Sequence, residues 1–224
     1  MCYRQLSAEI IKAGRTLYDE GLIVAGAGNL SSLLDDGSVL CTPAGVSKGH
    51  LTPEIMLRVN LDGEVLDKND HARPSSELHL HLALYQASSS VGAVVHAHPP
   101  TATALSHVPG LNLCVTAEGA AILGPVAQIA YRTPGTVALG ELCAEAAAKG
   151  ATTFLLANHG AACVGKNLQE AMWRMSSLEH VARIWMTMHQ LGSMSYLDDT
   201  EVKRLRQMMG SHSADIGAVA LQVD

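Results

Sequence analysis

The chain has 224 residues, of which 48% are apolar and 16% are charged, and its formal net charge is −6. This composition excludes a mostly disordered chain, and the acidic balance disfavours a protein that binds nucleic acid through a basic surface. No apolar run approaches the roughly 18 residues of a membrane-spanning helix, and the charged first 20 residues do not resemble a signal peptide. We therefore expect a cytoplasmic protein without a membrane partner. The five cysteines form no C-x-x-C pair, which favours reduced core residues.

The first half of the chain predicts a helix followed by hairpins. Apolar residues recur at helical spacing up to Leu17, and Gly21 follows as a stop signal. Asp35-Asp36-Gly37 and Asp62-Gly63 are turn signals between short apolar segments. The predicted elements are a helix over 7–20, a hairpin of 30–34 with 38–41, a hairpin of 58–61 with 64–66, and a helix from about 76 to 87.

The second half alternates short strands with helices. Pro99-Pro100 ends a β-rich segment and opens a short helix, and Asn167 with Glu170 forms a capping box before a long one. Strands are predicted at 91–98, 113–116, 125–130, 152–157 and 161–164, and further helices at 136–149, 167–191 and 198–209. The tail after 210 is expected to be loose. With no repeat and no linker, the pattern indicates a single α/β domain over 1–224, with its core at 6–192, in which a mixed, mainly antiparallel sheet lies between helical layers.

His96-Ala97-His98 at the end of a predicted strand is the first sign of a metal site. Residues i and i+2 of a strand point to the same face, so two imidazoles can converge on one cation. His159 follows a second buried strand and precedes Gly160, which is a common place for a ligand in an α/β protein. Glu77, at the start of a helix, is the fourth candidate. Three histidines and a carboxylate suit Zn²⁺ first among divalent cations.

A second H-x-H, His79 and His81, lies within a predicted helix. Positions i and i+2 of a helix face about 200° apart, so these two cannot chelate one ion together. Glu77 and His81, at i and i+4, do share a face and form an alternative pair.

Three loops are rich in small residues and resemble anion-binding turns. Glycine allows backbone N–H groups to close on an anion, and serine hydroxyls at a helix start add donors beside the positive end of the helix dipole. Ordinary turns remain an alternative, and G-x-G-N is not the dinucleotide fingerprint. The loops are Gly26-Ala27-Gly28-Asn29, Thr42-Pro43-Ala44-Gly45 and Pro74-Ser75-Ser76-Glu77.

Taken together, these residues resemble the class II aldolase/adducin-like family, which includes L-fuculose-1-phosphate aldolase and L-ribulose-5-phosphate 4-epimerase. The archaeal-type fuculose-phosphate aldolases are the most similar, since T-A-E-G at 116–119 resembles their T-P-E-G. The matching strings are GNLS at 28–31, CTPAG at 41–45, SSELHLH at 75–81, VVHAHP at 94–99 and LLANHG at 155–160.

The resemblance implies a role for each matching residue. His96, His98 and His159 would be ligands of one Zn²⁺ per subunit, with Glu77 as the fourth ligand and the catalytic acid/base. The family commonly forms a homotetramer with sites at subunit interfaces. The residues that would hold the phosphate of a sugar phosphate substrate are Gly28, Asn29, Gly45, Ser75 and Ser76.

The chain also departs from the family pattern. Gly26 and Ala44 stand where fuculose-phosphate aldolases often carry threonine, so two hydroxyl donors to phosphate are missing. Bacterial members use a tyrosine after the H-x-H strand as a general acid, whereas residues 113–118 contain none. Glu118 is the nearest ionisable group and is a second catalytic candidate.

The predicted reaction is a zinc-dependent retro-aldol cleavage of a ketose 1-phosphate, such as L-fuculose 1-phosphate, to dihydroxyacetone phosphate and an aldehyde. A methylthioribulose-1-phosphate dehydratase could use Glu118. A ribulose-phosphate 4-epimerase would carry aspartate at the Glu77 position. Decarboxylases of four-carbon acid phosphates tend to carry lysine where this chain has Ser76. A non-catalytic adducin-like protein would lack the complete ligand set.

Overall fold

The computed structural model describes residues 3–67 and 72–216, with side chains as far as Met208. The described α-helices are α1 (Tyr3–Asp19), α2 (Leu78–Ala87), α3 (Pro100–Leu105), α4 (Ala117–Ile122), α5 (Val137–Ala148), α6 (Leu168–Gln190) and α7 (Asp199–Ile216). The strands are β1 (Asn29–Leu33), β2 (Val39–Cys41), β3 (Leu57–Val59), β4 (Ala93–Ala97), β5 (Val126–Ile129), β6 (Thr153–Leu156) and β7 (Gly160–Gly165). None of these helices is both long enough and apolar enough to cross a bilayer.

The seven strands form one sheet in the order β3-β2-β1-β4-β7-β6-β5. Every neighbouring pair is antiparallel except β5 with β6, so the prediction of a mixed, mainly antiparallel sheet is confirmed. The central strand β4 pairs with β1 through Asn29 opposite His96, and with β7 through Ala162 opposite His96. This register brings the loop before β1 and the turn before β7 to the end of β4.

Helices cover both faces of the sheet. Both faces need this cover because the side chains of β4 alternate between them. Ala93, Val95 and Ala97 belong to the apolar cluster that contains α1, α3 and α6. Val94 belongs to the cluster on the other face, which contains α2 and α5. His96 shares the Val94 face by the same alternation, so it points toward the α2 side of the sheet.

Two local predictions are wrong, and a third is realised in a shorter form. Residues 64–66 return antiparallel to the outer edge of β3 through one bridge, Val59 to Val65, and through backbone hydrogen bonds from Asn60 N to Glu64 O and from Leu66 N to Arg58 O. Residues 113–116 are not a strand; they lead into α4, and the hydroxyl of Thr116 caps that helix by accepting from Gly119 N. Helix α7 continues past Gly210 to Ile216 instead of ending at about 209. Residues 217–224 of the predicted loose tail lie outside the described residues.

Candidate metal centre

Four side chains with metal-ligating atoms meet at the end of β4. His96 lies in β4, His98 follows it, His159 lies in the β6–β7 turn, and Glu77 immediately precedes α2. One ligand atom from each lies within 4.8 Å of the others. Nε2 of His96 is 2.9 Å from Oε2 of Glu77, and Nε2 of His159 is 3.1 Å from Oε1 of Glu77. Nε2 of His98 is 3.1 Å from Nε2 of His96. The four residues predicted as ligands are therefore together.

The hydrogen-bond pattern of these atoms fits a cation. Nδ1 of His96 donates to the carbonyl oxygen of Ala161 at 2.9 Å, so in the neutral ring Nε2 carries a lone pair. That lone pair faces a carboxylate oxygen of Glu77. An ionised carboxylate can only accept hydrogen bonds, so both of the facing atoms are acceptors. Oε1 of Glu77 is buried, and its neighbour His159 Nε2 is not aligned to donate to it. Acceptors packed this closely need a positive charge between them, and three imidazoles with one carboxylate suit a divalent cation.

Local backbone geometry sets the position of His159. Asn158 has a left-handed backbone, φ +57°, which asparagine tolerates better than most residues and which turns β6 back into β7. A Cβ at Gly160 would lie 2.5 Å from the carbonyl oxygen of Ala97 and 2.7 Å from the ring of His98. Only glycine therefore allows β7 to pass this close to the end of β4, which brings His159 beside His98.

The charge states of Glu77 and His98 suit the binding of a metal ion. Burial by itself raises the pKa of Glu77, but His159 and His96 lower it by more when their facing nitrogens carry a proton, so the carboxylate is ionised at neutral pH. Burial, reinforced by His96 and His159, lowers the pKa of His98 to about 4. His98 is consequently neutral at pH 7, with a lone pair available for a metal.

Two of the predicted anion-binding residues contact Glu77, Asn29 at its carboxylate and Ser75 at its backbone N–H. Nδ2 of Asn29 donates to Oγ of Ser75 and to Oε2 of Glu77, both at 3.2 Å. Oγ of Ser75 also accepts from the backbone N–H of Glu77 at 3.2 Å. Asn29, the first residue of β1, thereby joins the loop before β1 to the loop before α2.

The other three predicted anion-binding residues differ in their surroundings. Gly28 and Gly45 have left-handed backbones, with φ values of +69° and +72°. The space beside Gly45 is open, and the loop of Gly45 lies next to Gly26. The side chain of Ser76 is exposed.

Glu118, the second catalytic candidate, is exposed in the first turn of α4 and is not part of the four-residue cluster. Lys48, which the sequence analysis missed, and His81, which it named only as an alternative partner of Glu77, lie close to the loops. Lys48 is 1% exposed, and its Nζ donates to the carbonyl oxygens of Gly26 at 3.0 Å and Val46 at 2.6 Å. His81 is buried and hydrogen-bonded to Asn29. A lysine three residues after the Gly45 turn was a signal for the first. For His81 the sequence suggested a pair with Glu77, whereas in the structure its ring nitrogens contact Ser31 and Asn29 and it is not part of the four-residue cluster.

A mixed sheet between helical layers, with a Glu/His₃ cluster and small-residue loops beside it, defines an enzyme-like α/β protein with a metal site. Residues 8–186 match the family model described as Class II Aldolase and Adducin N-terminal domain. The chain belongs to this family, which confirms the resemblance seen in its motifs.

Individual relatives carry two different activities in their names. A 3-oxo-tetronate 4-phosphate decarboxylase of Pectobacterium atrosepticum is 38% identical over 79% of this chain and 82% of its own length. An L-fuculose phosphate aldolase of Methanococcus maripaludis is 34% identical over 82% of this chain and 97% of its own length. The solved structure of YgbL from Escherichia coli superposes with a TM-score of 0.81 at 34% identity, covering 91% of this chain and 99% of that one.

Proposed function

We propose that the chain is a divalent-metal-dependent lyase that breaks a carbon–carbon bond near the ketone of a phosphorylated sugar or sugar acid. Decarboxylation of a 3-oxo acid phosphate of the 3-oxo-tetronate 4-phosphate type is the reaction we favour, and retro-aldol cleavage of a ketose 1-phosphate such as L-fuculose 1-phosphate is the second candidate. The observation that carries the proposal is the contact of the Glu77/His₃ cluster with Asn29 and Ser75. Through this contact the candidate metal site lies beside the candidate anion site.

The two candidate substrates share the fragment that such a site would recognise. Each contains a ketone with a phosphate-bearing CH₂ on one side and a CH–OH carbon on the other. The bond that breaks lies on the far side of the CH–OH carbon. It runs to a carboxylate in one substrate and, in the other, to a second hydroxyl-bearing carbon that becomes the aldehyde. Cleavage leaves dihydroxyacetone phosphate in both cases. One arrangement of metal and anion loops could therefore bind either substrate.

The number of proton transfers favours decarboxylation. Loss of CO₂ leaves an electron pair on the CH–OH carbon, and one proton must reach that carbon. Retro-aldol cleavage additionally removes a proton from the hydroxyl of the departing aldehyde, which requires a second acid/base. Among the described residues of one subunit, Glu77 is the one carboxylate in the cluster, and Glu118 is exposed outside it. The 38% identity to a decarboxylase is consistent with this order, and it outweighs the expectation that Ser76 argues against decarboxylation.

The chain's own residues would do most of the positioning. His96, His98 and His159, with Glu77 in the resting site, would hold Zn²⁺ by preference, and the cation would stabilise negative charge developing on the substrate oxygens. Asn29, Ser75 and the backbones of Gly28 and Gly45 would bind the phosphate at the start of α2. The ionised Glu77 would accept the proton of the substrate hydroxyl and return it to the carbon from which CO₂ has left, and a proton from solvent would restore the hydroxyl of the product.

A single coupled assay tests the proposal because both reactions release dihydroxyacetone phosphate. The zinc-loaded protein is offered 3-oxo-tetronate 4-phosphate and L-fuculose 1-phosphate, with glycerol-3-phosphate dehydrogenase and NADH as the reporter and CO₂ measured in parallel. Equal yields of triose phosphate and CO₂ from the first substrate support decarboxylation. Turnover of the second alone supports the aldolase alternative. No triose phosphate from either would refute both, and would favour a dehydratase or a non-catalytic adducin-like role.

A further inference from the structure

Helix α2 carries two histidines in contrasting surroundings. His79 is exposed, whereas His81 is 2% exposed and lies on the side of the helix that faces the sheet. Nδ1 of His81 is 2.6 Å from Oγ of Ser31, and its Nε2 makes a short hydrogen bond with Oδ1 of Asn29. Oγ of Ser31 is also 2.7 Å from the hydroxyl of Tyr85. These buried groups form a chain that ends at the metal-site carboxylate.

The chemistry of the end groups fixes the direction of every hydrogen bond in this chain. The amide oxygen of Asn29 only accepts, so Nε2 of His81 carries the proton and Nδ1 accepts from the hydroxyl of Ser31. The hydroxyl of Tyr85 then donates to Ser31. From the other end, the ionised Glu77 only accepts, so the NH₂ group of Asn29 must face it. Both ends therefore require the same orientation of the Asn29 amide.

We propose that His81 is a positioning residue: it locks the amide of Asn29 so that both N–H hydrogens point at Ser75 and Glu77. This inference rests on the proposed function, in which Ser75 binds the substrate anion and Glu77 moves the proton. Without the imidazole N–H, the amide can rotate and turn its oxygen toward the carboxylate, which would repel it. Nothing else among the contacts of Asn29 Oδ1 in the described residues holds the amide in place.

The protonation state of the His81 imidazole supports its role as a positioning residue. Burial, with His96 nearby, lowers the pKa of His81 to about 3. The ring therefore stays neutral over the range in which the enzyme would work, and its single N–H remains committed to Asn29. A misplacement of reacting groups by about 1 Å can cost on the order of 10²-fold in rate, so a residue that never touches substrate can still matter.

Paired variants separate positioning from simple packing. His81→Met removes the donor and keeps a similar volume, whereas His81→Gln returns an amide N–H near the former Nε2; His79→Met is the matched surface control. We expect His81→Met to bind one metal per subunit and to melt close to the wild type. Its kcat should fall about tenfold or more, and its Kd for inorganic phosphate should rise about tenfold. His81→Gln should recover most of both losses, and His79→Met should match the wild type.

Two outcomes would overturn the proposal: wild-type kcat and phosphate Kd in His81→Met, or a His81→Gln protein as impaired as His81→Met. If His81→Met does not fold, ¹⁵N spectra of the wild-type imidazole decide, because a proton found on Nδ1 contradicts the assignment and one on Nε2 supports it. Phosphate binding and the spectra do not depend on which substrate reacts. A change in phosphate affinity without turnover of either substrate would thus leave the role of His81 standing while refuting the proposed reaction.

Discussion

Replacing Gly28 with alanine should destabilise the protein through two separable costs. The backbone of Gly28 is left-handed, φ +69°, which an L-residue adopts at a cost of about 1–2 kcal/mol. The added Cβ would also lie 2.6 Å from Cγ2 of Ile23 and 2.9 Å from the carbonyl oxygen of His96, closer than packed atoms tolerate. Overpacking of this kind typically adds about 1–3 kcal/mol. The expected total is about 2–5 kcal/mol.

Two other glycines isolate the conformational cost. Gly37, in the β1–β2 turn, has φ +80° and no heavy atom within 4 Å of an added Cβ, and Gly45 is equally open with φ +72°. Gly37→Ala should therefore lose only about 1–2 kcal/mol. Gly45→Ala should lose the same stability, but its new methyl group enters the open space beside the candidate anion site and should raise KM for the phosphorylated substrate.

Urea unfolding of the three variants, at one protein concentration and with the same metal content, measures the difference. A larger loss in Gly28→Ala than in Gly37→Ala reports the clash with Ile23 and His96. Equal losses in these two variants would refute the reasoning, because they would show that the loop moves away from β4 at no cost. An unchanged KM in Gly45→Ala would show that no substrate group lies beside that loop.

Further predictions concern the metal, the proton, the buried lysine and the assembly. His98→Ala should lose most bound zinc in elemental analysis, whereas Glu77→Gln should keep most of it and lose about 10²–10⁴-fold in kcat, measured in the coupled assay. Burial lowers the pKa of Lys48 to about 8 from 10.5, so the unfolded chain binds more protons between these values. The wild type should therefore gain stability relative to Lys48→Met as the pH rises from 8 to 10.5, by up to about 3 kcal/mol, and parallel urea midpoints that do not diverge would contradict this. The exposed side chains of Tyr131, Val137 and Trp173 should be covered in a homotetramer, which light scattering at micromolar concentration would detect.

Short sequence patterns were enough to predict the residues of the Glu77/His₃ cluster. The period of two along a strand puts His96 and His98 on one face, and a histidine between two buried strands marks a turn at the end of the sheet. The hairpin around Asp36 was predictable for the same reason, since its turn residues and its strands are adjacent in the chain. The second hairpin was predictable in the same way, although its return segment makes only one bridge, Val59 to Val65.

The buried support of the site could not be predicted because its contacts join distant segments. His81 and Asn29 are 52 residues apart, and Ser31 and Tyr85 are 54 apart. Helical periodicity shows that His79 and His81 face different directions, but it does not show which of them is buried. That choice depends on how α2 packs against β1, which only the folded sheet determines.

The register between β1 and β4 couples the metal cluster to the anion loops. Asn29 lies directly opposite His96 in the β1–β4 pair. The pairing that positions His96 in the Glu77/His₃ cluster therefore also positions Asn29, which contacts Ser75 and Glu77. A slip of one residue would turn either side chain to the opposite face of the sheet. Glycine at 28 allows β1 to begin at this position, because its missing side chain leaves room for the backbone of His96 and for Ile23. The two halves of the site are therefore positioned by one strand pair, and a change in the loop at Gly28 should disturb the metal cluster as well as stability.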